Sequence, residues 1–441
     1  MIVQAVPGAL VARQPWACEY RAVGLRGWNV PGDVVPDFLD PAVLDDPFEA
    51  YAELHERCPV FEMPQTGLFL VTRYEDARMV LTDTATFSSR PSPGASRQED
   101  VAALYRRVMT EGGWARTPTL QRTDPPVHTR YRQLLGRVFT PRRVAEMSEH
   151  IDAVVHSLID EFADRGECEF VSEFAIPLPG IIIAEQLGLD RSEIMTFRRW
   201  ADAMLAMAQR ALTEEEAVAT AEVELEAQHF LAHEFEARRA EPRDDLISAL
   251  VHAHGDDEEP LTMGELQDLM HQLVTGGFET TTAALGTGLW LLLRNPEQLA
   301  LLREDPGLMK NFIEETLRFD SPVAGLWRMT TCPVRVGDTE IPEGAAVMPR
   351  FAAANRDAAV FAEPGRFDIT RPNASSHLAF GVGSHYCIGA ALARREMHLS
   401  FTALLDRLDD IELAGRLPDP AHETSFFLRP LKELPITFRA K

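Results

Sequence analysis

Cysteine is scarce in this chain of 441 residues, which has five, and no two of them form a CxxC pair. A secreted protein held together by disulfides is therefore disfavoured, and the reducing cytoplasm suits the pattern. Long apolar runs are also missing. The N-terminus "MIVQAVPGALVARQPW" is broken by Pro7 and Gly8, and no later run reaches the length of a membrane span without a charge. We expect a cytoplasmic protein with no membrane partner.

Positive charge is in short supply. The chain has 43 lysines and arginines against 68 acidic residues, which gives a net charge of −25. Such a balance argues against nucleic acid and anionic membranes as partners. Residues 115–143 are the exception, with seven arginines and one acid, Asp124. This block is either a solvated face or a surface that binds something anionic.

The pattern of the chain predicts a mainly α fold with a small β portion. Helical spacing dominates from Pro126 to Gly255, and the strand-like pieces are short, such as "GLFLVTRY", "CPVRVGD" and "LKELPITFRA". The segment "SSRPSPGASRQEDVAALYRRVMTEGGWART" mixes turn-forming with helix-forming residues and is expected to be a loop. We expect residues 1–36 to be an irregular extension and residues 37–441 to form one domain.

One helix is expected to be unusually long. It opens at Thr262 with a capping-box pattern and continues to Arg294, about 50 Å at 1.5 Å per residue. Gly276 and Gly277 weaken this helix, and the threonines that follow have hydroxyls that can bond back to carbonyls. A local bulge is therefore predicted. Glu279 lies inside this apolar stretch, and an isolated carboxylate there needs a reason.

The stretch "HLAFGVGSHYCIG" surrounds Cys387 with glycines and bulky apolar residues, just before a strongly helical sequence. The amides at a helix N-terminus favour a thiolate, and a thiolate is a strong ligand for iron or zinc. Zinc would want further ligands at short spacing, where only His377 and His385 are near. A buried structural cysteine would need no metal at all.

The pattern Phe380-Gly381-x-Gly383-x-His385-x-Cys387-x-Gly389 resembles the haem-binding loop of the cytochrome P450 family. The resemblance covers roughly residues 37–438. It implies a single-domain P450 fold, with the long central helix crossing haem b (iron protoporphyrin IX) and Cys387 as the iron ligand. Residues 276–280 resemble the oxygen-binding segment of the family, so Thr280 would hydrogen-bond the dioxygen and Glu279 would relay protons.

The same resemblance assigns supporting residues. The haem propionates would be held by His128, Arg132, Arg328 and His385. Glu315 and Arg318 are the first and last residues of an ExxR sequence. They would form a buried structural network that is completed by Arg366 in "FAEPGRFDITRP". The substrate pocket is expected to include the following small or apolar residues: Val274, Gly277, Val323, Leu326, Phe426 and Phe427.

The implied activity is that of a monooxygenase that inserts one atom of O2 into a hydrophobic small molecule of terpenoid, steroid or aromatic type. No GxGxxG follows a strand and the length leaves no room for a fused reductase. Electrons are therefore expected from NAD(P)H through a ferredoxin reductase and a ferredoxin. Three alternatives stay open: a P450-type oxidation other than hydroxylation (demethylation, coupling or desaturation), a haem-binding sensor or carrier without catalysis, and a helical binding protein without haem whose cysteine loop matches by coincidence.

Overall fold

The computed structural model describes residues 36–90, 99–189, 193–209, 212–253, 259–415 and 421–441. The expected N-terminal extension therefore lies, apart from its last residue, outside the described part of the chain. Helices dominate what is described, in agreement with the predicted fold class.

The α-helices, numbered in chain order, have these bounds: α1 Pro41–Asp45, α2 Phe48–Arg57, α3 Tyr74–Thr82, α4 Glu99–Gly112, α5 Val127–Val138, α6 Pro141–Glu146, α7 Ser148–Asp160, α8 Pro177–Gln186, α9 Ile194–Gln209, α10 Glu214–Ala240, α11 Leu246–Val251, α12 Met263–Gly277, α13 Glu279–Arg294, α14 Pro296–Glu304, α15 Met309–Phe319, α16 Phe351–Ala354 and α17 Ala390–Arg407. Short 3₁₀ turns cover Leu120–Arg122, Ala163–Arg165, Pro306–Leu308, Ala374–Ser376 and Gly383–His385, and a π-helical turn covers Val171–Ala175.

The strands are short, as their sequences suggested: β1 Val60–Glu62, β2 Phe69–Val71, β3 Phe87–Ser88, β4 Glu167–Glu169, β5 Arg328–Thr330, β6 Val334–Val336, β7 Thr339–Ile341, β8 Ala346–Pro349, β9 Leu408–Leu413 and β10 Pro435–Ala440. They form a five-stranded sheet in the order β1-β2-β8-β5-β3, a three-stranded sheet β4-β10-β9, and the hairpin β6-β7. Strands β2 and β8 pair in parallel, with Phe69 opposite Val347.

The long central helix is two helices that meet at Phe278. The capping box at the start of α12 is present, since Thr262 and Glu265 each accept a hydrogen bond from the backbone amide of the other. Phe278 has φ −85° and ψ −73°, and α13 begins at the next residue. The predicted bulge is therefore confirmed, and the helix expected from Thr262 to Arg294 is interrupted at this single residue. The cause is local, because paired glycines lower helix propensity at this point.

The expected loop before residue 115 contains α4, so that expectation is wrong in part. Tyr105 and Met109 on α4 pack against Ala221 on α10, in a small apolar cluster separate from the main core. The side-chain amide of Gln228 on α10 bonds both the backbone amide and the carbonyl of Trp114. Helix α4 is thus held by contacts distant in sequence, which local composition does not report.

The main core surrounds α13, α15 and α17. The rings of Phe312 and Phe401 meet edge to face at 4.9 Å, and a Cβ added to Gly288 would lie 2.6 Å from the ring of Phe401. Gly288 therefore lets α13 approach α17 closely. This packing fixes α17, and with it the cysteine loop that precedes it.

Candidate functional site

The loop before α17 folds back on itself and presents Cys387. Gly381 and Gly383 have φ of +68° and +77°, a backbone region that side chains with a Cβ rarely adopt. The amide of Cys387 donates to the carbonyl of Phe380 at 2.9 Å and closes the loop. Burial raises the pKa of the Cys387 thiol, while hydrogen bonds from the amides of Gly389 and Ala390 act in the opposite direction. These amides would stabilise a thiolate ligand.

Two histidines lie together beside the loop. The rings of His128, on α5, and His385 have centroids 4.2 Å apart, and Nε2 of His385 lies 3.1 Å from Oγ of Ser89. Burial and the nearby Arg328 lower the pKa of His385 to about 3, and burial also lowers the pKa of His128. Nε2 of His128 is buried and has no hydrogen-bond partner among the described residues.

Two arginines complete this side of the site. Arg132, one turn after His128, donates from Nη1 to the carbonyl of Tyr386 at 2.6 Å. Arg328, on β5, is 4% exposed, and its Nε is buried without a hydrogen-bond partner in the described part of the chain. Burial lowers the pKa of Arg328 to about 10. The structure therefore brings together all four residues expected to bind propionates.

This arrangement fits the carboxylates of a haem group. A buried guanidinium without a carboxylate partner is costly, and charge-assisted hydrogen bonds to an anion would remove that cost. The unpartnered nitrogens of His128 and Arg328 are donors of the kind that such an anion needs. The donor set and the cysteine loop are thus consistent with one anionic, iron-containing ligand.

The break between α12 and α13 is open on one side. A Cβ added to Gly276 would meet no described atom within 4 Å, whereas one added to Gly277 would lie 2.6 Å from Cδ1 of Ile183. The hydroxyl of Thr280 donates to the carbonyl of Gly276 at 2.6 Å, and that of Thr282 to the carbonyl of Phe278. The predicted bonding of threonines back to carbonyls is confirmed. Glu279 is half-buried at the start of α13.

The buried ion-pair network uses a different arginine from the one predicted. Glu315 and Arg318 are fully buried and form two hydrogen bonds of 2.7 and 2.8 Å, as expected. The second arginine on Glu315 is Arg371, whose Nε lies 3.1 Å from both carboxylate oxygens. The side chain of Arg366 is 60% exposed and faces Glu363 at 3.6 Å. The assignment of Arg366 is therefore wrong.

A tight turn keeps the side chain of Arg366 away from Glu315. Residues 363–366 form a tight turn in which the amide of Arg366 donates to the carbonyl of Glu363. Arg366 contributes only its backbone carbonyl, which accepts from Arg371 at 2.9 Å. Arg371 lies five residues later in "FDITRP" and points back to Glu315. Spacing in the sequence alone does not distinguish Arg371 from Arg366.

A second buried carboxylate, next to Glu315, was missed in the sequence. Glu314 accepts hydrogen bonds from Arg394 at 2.6 and 2.9 Å and lies 3.2 Å from Nε2 of His377. Burial alone would raise the pKa of Glu314, but the bonds from Arg394 and His377 outweigh it and lower the pKa to about 2. Glu314 thereby ties both ends of the cysteine loop to α15.

The expected pocket residues do not all lie together. Val323 and Leu326 pack beside the five-stranded sheet, and Val323 bridges to Leu428 in the C-terminal segment. In the same segment, the ring of Phe427 stacks on Trp327 at 5.4 Å and that of Phe426 lies under the guanidinium of Arg350.

Two of the expected pocket residues are on a packed side of the central helices. Val274 is 1% exposed and belongs to the helical core, so the structure does not support it as a lining residue. The space beside Gly277 is filled by Ile183. Both positions lie on faces of α12 that pack against other helices, whereas Gly276 faces the open side.

In the part of the chain that the structure describes, no helix combines the length and the apolar character that a membrane crossing needs. Across the same residues, no group of three or more histidine, cysteine, aspartate and glutamate side chains is arranged to hold a metal ion.

Known proteins that resemble this chain in sequence agree with a site for a haem group. Residues 194–438 match the family model described as Cytochrome P450. The chain is 38% identical to cytochrome P450 107B1 of Saccharopolyspora erythraea, over 91% of this chain and 98% of the relative. It is 35% identical to 6-deoxyerythronolide B hydroxylase of the same organism, with the same coverage of both chains.

Solved structures are also similar over most of the chain. Cytochrome P450 CYP109Q5 from Chondromyces apiculatus superposes with a TM-score of 0.80 at 34% identity, covering 92% of this chain and 98% of that one. Cytochrome P450 CREJ in complex with (4-ethylphenyl) dihydrogen phosphate superposes with a TM-score of 0.83 at 30% identity, covering 92% and 99%. The chain belongs to the cytochrome P450 family, among its bacterial monooxygenases, and the family implies a haem-thiolate iron and O2.

Proposed function

We propose that the protein hydroxylates a largely hydrophobic small molecule with dioxygen, with haem held through Cys387 and electrons supplied by a separate ferredoxin. The observation that carries this proposal is the coincidence of two features. A cysteine with amides directed at its sulfur lies beside buried, unpartnered donors of Arg328 and His128. The name of one relative, a hydroxylase, agrees with the reaction type.

Haem fits the residues present, and each has a defined part in holding it. Cys387 would bind the iron, and the amides of Gly389 and Ala390 would stabilise its thiolate form. Arg328, Arg132, His128 and His385 would hold the two propionates, which would give the buried nitrogens their missing partners. The network of Glu315, Arg318 and Arg371 would hold the loop in place. When bound, haem would supply the iron at which dioxygen is activated.

The open side of the central helices would receive the oxygen. The hydroxyl of Thr280 donates a hydrogen bond to the carbonyl of Gly276, and its oxygen keeps lone pairs that can accept a further hydrogen bond from water. To relay a proton, the hydroxyl would turn from this carbonyl toward the oxygen site and pass on its hydrogen, while its oxygen takes a proton from the water. Glu279, the next residue, would collect protons from solvent with its half-buried carboxylate. Both residues would act as proton carriers.

The substrate would be of terpenoid, steroid or aromatic type and would be held near Val323, Leu326, Phe426 and Phe427. These side chains are apolar and half-buried, and they come from two segments that meet through the bridge between Val323 and Leu428. Apolar walls with few polar groups select a hydrophobic ligand. Electrons would come from NAD(P)H through a ferredoxin reductase and a ferredoxin. The cytoplasmic location expected from the cysteines stays a prediction.

The test is spectroscopic and uses Cys387→Ser with Cys58→Ser as the matched control. The parent and the control, reduced and treated with carbon monoxide, should show the red-shifted Soret band of a thiolate-ligated haem. Cys387→Ser should lose that band. A parent protein without the band, or a Cys387→Ser variant that keeps it, would overturn the proposal. Ferredoxin-dependent product formation from a panel of apolar compounds would then test the reaction.

A further inference from the structure

A cavity of about 400 Å³ is lined by no residue of the proposed haem site. We name it the rear cavity. Its walls come from α7, the π-helical turn Val171–Ala175, α8 and α9, and its volume is within the range of small-molecule sites. It contacts the central helices through Phe278, the residue at which α12 and α13 meet. The two irregular helical segments thus face one space, and π-helical turns are frequent at functional sites.

Phe278 connects this cavity to the proposed oxygen site. Its ring is 3% exposed, meets the ring of Phe197 edge to face at 5.9 Å, and leaves 3.1 Å to a Cβ added at Gly180. Its amide donates to the carbonyl of Val274 at 3.2 Å and its own carbonyl accepts from the hydroxyl of Thr282. A displacement of the ring would therefore move the backbone that immediately precedes Glu279.

The lining of the rear cavity defines the class of ligand. Leu158, Ile181 and Ile194 make its inner surface apolar, and Ser157 and Ser172 add hydroxyls nearer the exposed side. Glu173 is already occupied, because it pairs with Arg165 and accepts from the amide of Glu169.

The remaining charges, Glu161 and Arg198, are of opposite sign. The cavity therefore favours neither a cation nor an anion. A compact, neutral, largely apolar molecule with one hydroxyl group matches this chemistry, because its apolar part would be removed from water while the hydroxyl could bond a serine.

We infer that the rear cavity binds a compact apolar alcohol and that its occupancy is coupled to the haem pocket through Phe278. The coupling rests on the proposed haem site, whereas the binding does not. Because coupling between two sites is reciprocal, each ligand must change the affinity of the other by the same factor.

The binding is tested on the haem-loaded enzyme saturated with 4-phenylimidazole, which fills the haem pocket. The probe is 4-(trifluoromethyl)benzyl alcohol, followed by fluorine NMR. We expect saturable binding to the parent and at least tenfold weaker binding to Ser157→Phe, whose ring would fill the cavity. Ala153→Phe, at an exposed position of the same helix, is the matched control and should bind as the parent does. Ser172→Phe, at the exposed side of the cavity, is a second blocking variant that serves if Ser157→Phe does not fold.

The coupling is tested by titrating 4-phenylimidazole against the haem absorption with and without the probe. We expect at least a threefold change in its dissociation constant in the parent and in Ala153→Phe, and none in Ser157→Phe. Absence of saturable probe binding to the parent, or equal binding to the blocking variants, would overturn the inferred site. An unchanged dissociation constant would overturn the coupling. A parent with no haem absorption would contradict the proposed function instead, and the fluorine titration would still decide the binding.

Discussion

At the scale of single residues, Glu396 on α17 is a buried carboxyl group that lies outside the proposed haem site. It is 1% exposed, its Oε1 has no hydrogen-bond partner among the described residues, and its carboxyl interacts with the hydroxyl of Thr281 on α13. Burial raises the pKa of Glu396 to about 8, although the bond to Thr281 acts against the shift. The carboxyl is therefore protonated in the folded protein near neutral pH.

This state predicts a pH dependence of stability. The folded pKa lies above the ordinary value of 4.5, so the folded state holds the proton more tightly than the unfolded state does. The stability that Glu396 provides is lost as pH rises from about 4.5 to about 8, by up to about 1.4 kcal/mol per pH unit. Glu396→Gln, which stays neutral, should escape this loss.

The measurement is urea unfolding of the parent and Glu396→Gln between pH 5 and pH 9. We expect the variant to gain on the parent steadily up to about pH 8 and to keep a constant advantage above it. Glu297→Gln, at an exposed position of α14, should follow the parent at every pH. Parallel profiles for the parent and Glu396→Gln would contradict a neutral buried carboxyl.

Two arginines five residues apart make a second prediction at this scale. Arg371 is 5% exposed and donates to Glu315 and to the carbonyls of Ala362 and Arg366, whereas the side chain of Arg366 is largely exposed. Arg371→Met should lower the free energy of unfolding by about 3–5 kcal/mol, because it breaks a buried ion pair and leaves the acceptors of Arg371 without a hydrogen bond. Arg366→Met should change stability by less than about 0.5 kcal/mol.

Denaturant midpoints and haem content of the two purified variants check this contrast. The arginine whose replacement lowers the denaturant midpoint is the one that belongs to the buried network of Glu315 and Arg318. Equal effects of the two substitutions, or a larger effect for Arg366→Met, would contradict the geometry.

At the scale of elements, the junction of α12 and α13 depends on two glycines with different surroundings. Alanine is favoured over glycine in a helix by about 1 kcal/mol. A Cβ at Gly276 would enter open space, so Gly276→Ala should stabilise the protein by about 0.5–1 kcal/mol. A Cβ at Gly277 would lie 2.6 Å from Cδ1 of Ile183, and displacing that side chain costs about 1–3 kcal/mol.

Gly277→Ala should therefore be neutral or destabilising. Urea unfolding of both variants at matched haem content separates the two positions. A gain for Gly277→Ala equal to that for Gly276→Ala would show that Ile183 moves aside at no cost.

An element could be predicted from the sequence when the interactions that stabilise it lie within the element itself. The capping box of Thr262 and Glu265 is contained in four residues, and it is present as expected. Helix α4 was expected to be a loop because its stability comes from α10, more than a hundred residues away.

The same holds for the site. The loop of Cys387 and the cluster of His128, Arg132, Arg328 and His385 were recognisable because they match a family pattern. Arg318 was also recognisable as a partner of Glu315, but Arg371 and the partners of Glu314 were not, since a turn at residues 363–366 and the packing of α17 on α15 decide which arginine reaches each carboxylate.

At the scale of the whole molecule, the basic block in residues 115–143 carries less free charge than its sequence suggested. Arg130 pairs with Glu265 at 2.8 Å and Arg116 with Glu224 at 2.9 Å. Arg394, which follows the cysteine loop, is likewise paired with Glu314. Arg395, also near the cysteine loop, forms no ion pair with any described carboxylate. Its Nε donates to the hydroxyl of Ser148.

On the proposal that a ferredoxin supplies the electrons, Arg395 is a residue through which the surface near the cysteine loop would attract it, against a net charge of −25 for the whole chain. With an acidic [2Fe–2S] ferredoxin that reduces the parent, Arg395→Glu should slow reduction about three- to tenfold at low ionic strength. The difference should shrink as salt rises to about 0.5 M, because screening removes attraction between surfaces. Arg439→Glu, on the exposed strand β10 where Arg439 pairs with Asp409 and Asp410, should leave the rate and its salt dependence unchanged. Stopped-flow reduction at a series of salt concentrations gives both quantities. An Arg395→Glu variant with the salt dependence of the parent would mean that the electron donor docks elsewhere or is guided by contacts other than charge.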